Sequence, residues 1–174
     1  GQLLPISQNN ALFAILGTTY GGDGITTFAL PDLRGRAPIG VGTGPGLTTY
    51  TLGQKTGVES VTLTANNLPS HTHTLPTGGN TDPAGGSQPF ENRQPTLALT
   101  PVIATEGVYP SRNLGAEDFL GSVDWFAGNF APRGYALANG QLLSIAQNSA
   151  LFSLLGTTYG GDGVTTFALP DLRG

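Results

Sequence analysis

Residues 1–35 read GQLLPISQNNALFAILGTTYGGDGITTFALPDLRG, and residues 140–174 read GQLLSIAQNSALFSLLGTTYGGDGVTTFALPDLRG. Six positions differ, all mildly: Pro5/Ser144, Ser7/Ala146, Asn10/Ser149, Ala14/Ser153, Ile15/Leu154 and Ile25/Val164. The copies lie 139 positions apart, far beyond the roughly 20–50-residue periods of solenoids and propellers, so each period is the size of a domain. What surrounds them is lopsided. The second copy is led by residues 118–139, DFLGSVDWFAGNFAPRGYALAN, which the first lacks, while Arg36 to Arg112 follows the first copy and is absent after the second. Half a domain therefore stands at each end. A longer chain cut at both ends would explain this, as would a neighbouring subunit that supplies the missing strands; the cut chain is the favoured reading. The expected division is 1–112 as a domain without its lead-in, 113–117 as a linker, and 118–174 as the first part of a second repeat.

Composition narrows the class. Of 174 residues, 38% are apolar and 10% charged, enough for one core and part of another, with a surface poor in charge. Net charge is −4, and the cations are one lysine, Lys55, and six scattered arginines, so no basic stripe of the kind nucleic acid needs is present. There is no Cys and no Met, which removes disulfides and thiolate metal sites. No apolar run approaches ~18 residues, so membrane insertion is not expected. Twenty-seven glycines and 13 prolines favour short strands and long loops over helix bundles.

Within each copy the pattern predicts a helix and then a hairpin. Ser7 to Leu16 reads as a helix with Ser7 as N-cap and Gly17 just beyond its end, its apolar face carried by Ala11, Leu12, Ile15 and Leu16. Residues 144–155 repeat it, and Ala146 in place of Ser7 is expected to cost about 1 kcal/mol unless Ser144 caps one turn earlier. Residues 18–20 and 25–29 read as two short strands around the turn Gly21 to Gly24. Arg36 to Val41 reads as extended, Val58 to Thr64 as a strand, Leu75 to Arg93 as a long loop, and Thr96 to Ala104 as a strand that Pro101 confines to an edge or a bulge.

The strings FAGNFAPRGYALANGQLL, LFSLLGTTYGGDG, TTFALPDLRGRAPIG, VTLT, LPSHTHT and QPFENRQPTLAL, with VYPSR closing the domain, resemble the phage tail-collar family, including bacterial proteins labelled microcystin-dependent. The likeness covers nearly the whole chain once the permuted window is allowed for. It implies an α+β fold, mostly β with one short helix per repeat, as an intertwined homotrimer or stacked fibre without enzymatic activity. The implied setting is an extracellular filament or a virion tail. The tandem arrangement departs from relatives that end after the equivalent of Ser111-Arg112, and favours a fibre of stacked modules.

His71 and His73 are the only histidines. On an extended segment, residues i and i+2 share a face. Three such pairs meeting on a threefold axis would offer six nitrogens, an octahedral set suited to Fe²⁺ or to six-coordinate Zn²⁺ or Ni²⁺. His-x-His in trimeric phage fibres resembles this arrangement, and the expected cofactor is one transition metal ion, Fe or Zn, per trimer. A metal bound only by the assembled form adds its binding free energy to assembly, and acid would compete with it for the imidazoles. The plainer reading makes both histidines surface loop residues.

Other motifs point away from chemistry. Asp23 and Asp162 supply one carboxylate per loop where calcium takes six to eight oxygens, so they read as turn residues. Asp32 with Arg34 and Arg36, and Asp171 with Arg173, read as ion pairs that pin their loops. No nucleophile elbow or carboxylate pair is visible, so no enzyme is expected; a metal-dependent hydrolase would lack a general base. Among the aromatics Tyr20, Phe28, Tyr50, Trp125, Phe126, Phe130 and Tyr135, the members Phe28, Trp125 and Phe126 fit a core or subunit interface. The expected partner is the chain itself, as homotrimer or head-to-tail filament. The alternative is an adhesin tip that binds cell-surface glycan through the loop of Leu75 to Arg93, which carries Phe90.

Overall fold

The computed structural model describes residues 1–110 and 119–174; the expected linker, 113–117, lies outside them. The chain forms two compact units, one of residues 1–55 with 96–174 and the other of residues 56–95. The first unit carries strands β1 (Leu3–Pro5), β2 (Thr27–Ala29) and β3 (Ala37–Gly40), with helix α1 (Asn10–Leu16) between the first two. At β4 (Lys55–Thr56) the chain passes into the second unit, and it returns at β5 (Thr96–Ala104). There follow β6 (Val123–Phe126), β7 (Tyr135–Leu137), β8 (Leu142–Ser144), α2 (Ser149–Leu155) and β9 (Thr166–Ala168). Mostly β with one short helix per copy, the chain matches the expected class.

The helices are shorter than the sequence implied. Ile6–Gln8 is a 3-10 turn, so Ser7 lies inside it and does not cap α1. The Asn9 amide donates to the Pro5 carbonyl at 3.0 Å and the Asn148 amide to the Ser144 carbonyl at 3.0 Å, so an asparagine ties the entry of each helix. With no cap hydroxyl in either copy, the cost expected for Ala146 has no structural basis. Gly17 and Gly156 end the helices at φ 53° and 54°, as read from the sequence.

The hairpin expected from residues 18–29 is absent. Residues 18–20 form turns, and β2 pairs antiparallel with β1, upstream of the helix; β9 pairs with β8 in the same register. The turn chemistry explains this. Asp23 Oδ1 accepts the amides of Ile25, Thr26 and Thr27 at 2.9, 2.7 and 2.8 Å, which removes them from any ladder with residues 18–20. Gly22 is obligatory: at φ 96° a Cβ there would sit 2.4 Å from the Phe28 Cα.

β5 is the axis of the first unit, and all nine of its residues are buried. Pro101 had confined it to an edge or a bulge; it is central, with strands paired along both halves. β3 runs parallel to its first half, from Thr96 to Leu99, whereas β6 and β7 run antiparallel to its second half. Pro101 falls where the partners change, so its missing N–H interrupts little of the ladder, and its carbonyl still accepts the Ala138 amide at 3.0 Å. Beyond it, Ile103 enters a core with Leu120, Leu151, Phe167 and Leu169. Phe28 is fully buried, but Trp125 is exposed, so that tryptophan is no core residue. Phe126 is half-buried against Phe130, ring to ring at 5.3 Å.

Candidate metal centre and assembly faces

The second unit holds the histidines. The expected strand at residues 58–64 does not form there: Val58, Val61 and Leu63 are exposed and no ladder pairs them. Beyond the 3-10 turn Ala65–Asn67, His71 exchanges backbone hydrogen bonds with Ala84 at 2.8 and 2.9 Å. The His73 amide donates to the Thr81 hydroxyl at 3.0 Å and its carbonyl accepts the Thr81 amide at 2.8 Å. The segment is thus extended and held by isolated bridges to the returning chain, at Ala84 for His71 and at Asn80 for Thr74. Both imidazoles are exposed, their centroids 5.1 Å apart and edge to face, as a shared face requires.

His71 is oriented. Its Nδ1 lies 2.9 Å from the Pro69 carbonyl oxygen, which can only accept, so Nδ1 is the donor, and in the neutral ring that tautomer leaves the lone pair on Nε2. Fixing one ring nitrogen against a carbonyl is how ligating histidines are commonly held. Among the described residues no three His, Cys, Asp or Glu side chains come together in a set able to hold a metal. One chain offers two imidazoles, which fits a metal completed by other copies and falls short of a shell by itself.

Within residues 75–93 no helix or named strand forms. An open hollow of about 450 Å³ lies in the second unit, lined among others by Asn67, Pro69, Ser87, Gln88 and Phe90. Ser87 stands at φ 52°, held by its amide to the Leu68 carbonyl at 2.9 Å and by its hydroxyl, which accepts the Ser70 amide at 3.2 Å. Phe90 is exposed at its rim.

The carboxylates serve the turns. Besides three amides, Asp23 accepts the Thr26 hydroxyl at 2.5 Å, and Asp162 repeats the set with Thr165 at 2.6 Å. These hydrogen bonds, the threonine hydroxyl first, hold both carboxyls well below the usual range, and they leave few lone pairs for a cation. Asp32 with Arg34 and Asp171 with Arg173 are bidentate pairs at 2.7–2.8 Å. Arg36 takes no part; it reaches the Thr96 carbonyl at 3.4 Å.

The sequence gives no sign of how differently the two copies are seated. Internally they match: Phe13 meets Phe28 at 5.5 Å and 50°, and Phe152 meets Phe167 at 5.5 Å and 49°. Yet Leu12 is 37% exposed and its counterpart Leu151 is 1% exposed. Tyr20 donates to the Ala127 carbonyl at 2.6 Å, whereas its counterpart Tyr159 is 51% exposed. The lead-in of residues 119–139 lies against both copies, by Ala127 and Gly128 toward Tyr20 and Ile15, and by Leu120 and Gly121 toward Leu151 and Leu154.

The phage tail collar domain model matches residues 1–38 and 121–174, more than half of the chain, and takes in both copies of the repeat. Among the curated proteins and the solved structures compared, none matches the chain. Among the described residues no helix is long and apolar enough to cross a membrane.

Proposed function

The chain belongs to the phage tail collar domain family, and we propose that it is a self-assembling structural repeat of a tail fibre or fibre-like filament, with His71 and His73 as one third of an axial metal site. Family membership points to a structural role in a phage tail. One observation carries the finer reading: β5, from the segment that follows the first copy, takes as its partners β6 and β7, from the lead-in of the second. Strand pairing thus runs from one repeat into the next, the arrangement by which modules add along an axis. The low charge of the surface suits assembly in the same way.

The metal reading rests on the orientation of His71 and the 5.1 Å approach of its ring to His73. Three copies of this pair would present six imidazole nitrogens; a metal held there would staple the assembly, because separate chains bind it less well. Repeats divided as 1–112, 113–117 and 118–174 fit the same picture, in a virion tail or an extracellular filament.

A second reading is favoured by the open hollow beside Phe90. An exposed ring bordered by Asn67 and Gln88 amides has the make-up of a saccharide site, and the loop would then act as a receptor contact of an adhesin. Native mass spectrometry with and without a chelator tests the first reading. A trimer or a head-to-tail series supports it, and a monomer at every concentration overturns it. Glycan-array binding that is lost on shortening residues 77–87 would move the assignment to the adhesin.

A further inference from the structure

We propose that the face of the first copy carrying Leu12 is a docking site for a further lead-in segment of the 119–139 type, seated as residues 119–139 seat on the second copy. This deepens the fibre reading and rests on it for the existence of further repeats. The second copy displays the occupied site. There Leu151 and Leu154 lie over Gly121, so close that a Cβ on it would be 3.6 and 3.7 Å from their methyl groups. Leu120 and Ala136 pack into the same cluster, Ala138 is fully buried, and the Leu172 amide donates to the Ala138 carbonyl at 2.9 Å. Leu169 is buried in that cluster, and Pro170 after it is buried too.

The first copy presents the counterpart face partly uncovered, with Ile15 in place of Leu154 and Gly128 of the resident lead-in against that isoleucine. Leu12 is exposed, and Leu30 and Pro31 are partly open where Leu169 and Pro170 are buried. The matched ring pairs show that the two copies share the same inner contact, while Leu12 and Leu151 differ in cover. The site is therefore preformed, and its occupant would meet little reorganisation. The lead-in already present cannot serve it, because its Leu120 is committed to Leu151 and its Ala127 to Tyr20. An exposed leucine face whose twin is sealed by a known segment identifies the partner by its own sequence.

The chain has no cysteine, so Leu12→Cys gives a single reporter at a tolerant, exposed position. Thiol labelling of the full chain is followed alone, with the peptide of residues 119–139 in trans, and with that segment fused ahead of Gly1. In the chain alone Leu12→Cys should label as a free surface thiol, and the fused segment should slow it about tenfold or more. A Leu120→Asp version of the segment should restore fast labelling. Unchanged labelling with both peptide and fusion overturns the proposal, as does equal protection by the Leu120→Asp segment. Protection in the chain alone that grows with its concentration also overturns it and gives the face to a second copy. Native mass reads assembly separately, so failure of docking and failure of the fibre reading are distinguishable.

Discussion

The Tyr20 hydroxyl donates to the Ala127 carbonyl at 2.6 Å across 107 residues of chain, and so ties the first copy to the lead-in of the second. Half-burial of the ring in this contact disfavours the phenolate, and the Tyr20 pKa is pushed up to about 12 from the usual 10.0.

The sign of the pH dependence follows. Between pH 10 and 12 the unfolded chain has lost the Tyr20 proton and the folded chain retains it, so unfolding is favoured as pH rises. The contribution is fully present below pH 10 and is lost through about 12. Chemical denaturation of wild type and Tyr20→Phe across this range should show a steeper fall for wild type. Phenolate absorbance should lose its latest-titrating component in the variant; parallel stability curves for the two proteins would refute the assignment.

Leu12 and Leu151 have the same neighbours in sequence and opposite burial. Leu151→Ala should cost about 2–5 kcal/mol, since it empties a volume that Leu120, Ile103 and Phe167 enclose. Leu12→Ala should cost about 1 kcal/mol or less. Urea unfolding measures both, and equal losses would contradict the difference in cover.

Gly40 receives the end of the second copy. It bridges to Arg173 in parallel, and the Gly174 amide donates to its carbonyl at 3.2 Å. A Cβ at Gly40 would lie 1.7 Å from the Leu172 carbonyl oxygen, so Gly40→Ala must displace residues 172–174. We expect a loss of about 1–3 kcal/mol and earlier carboxypeptidase release of the last residues. Wild-type protection of those residues in Gly40→Ala would show that the tail is not seated there.

Removal of metal should destabilise the assembled protein and leave the His71→Ala/His73→Ala variant unaffected. Thermal unfolding with and without chelator makes the comparison, with metal content measured in parallel. An identical chelator response in both proteins would leave the histidines as surface residues.

Some of this was legible in the residues. Gly17 and Gly156 end their helices because only glycine takes positive φ cheaply. Asp23 and Asp162 anchor their turns, as a carboxylate two residues before free amides tends to. The 96–104 strand and the His71/His73 face followed from apolar run and alternation. The failures share a cause. Pro101 had marked an edge or a bulge, but the missing N–H matters only where a partner needs it, and the change of partners along β5 is a matter of remote segments. Likewise β2 found β1 in place of residues 18–20 because Asp23 had already claimed the intervening amides.

The 35-residue repeat, by itself, determined the local structure twice over: the same helix, the same turn, the same strand pair, because each is closed by hydrogen bonds and ring contacts within the copy. Only the tertiary structure decided that Leu151 is sealed and Leu12 is open, and that Tyr20 is tied while Tyr159 is exposed. Burial is a property of what lies opposite, and two nearly identical sequences acquire different neighbours when a single lead-in and a single β5 serve them both.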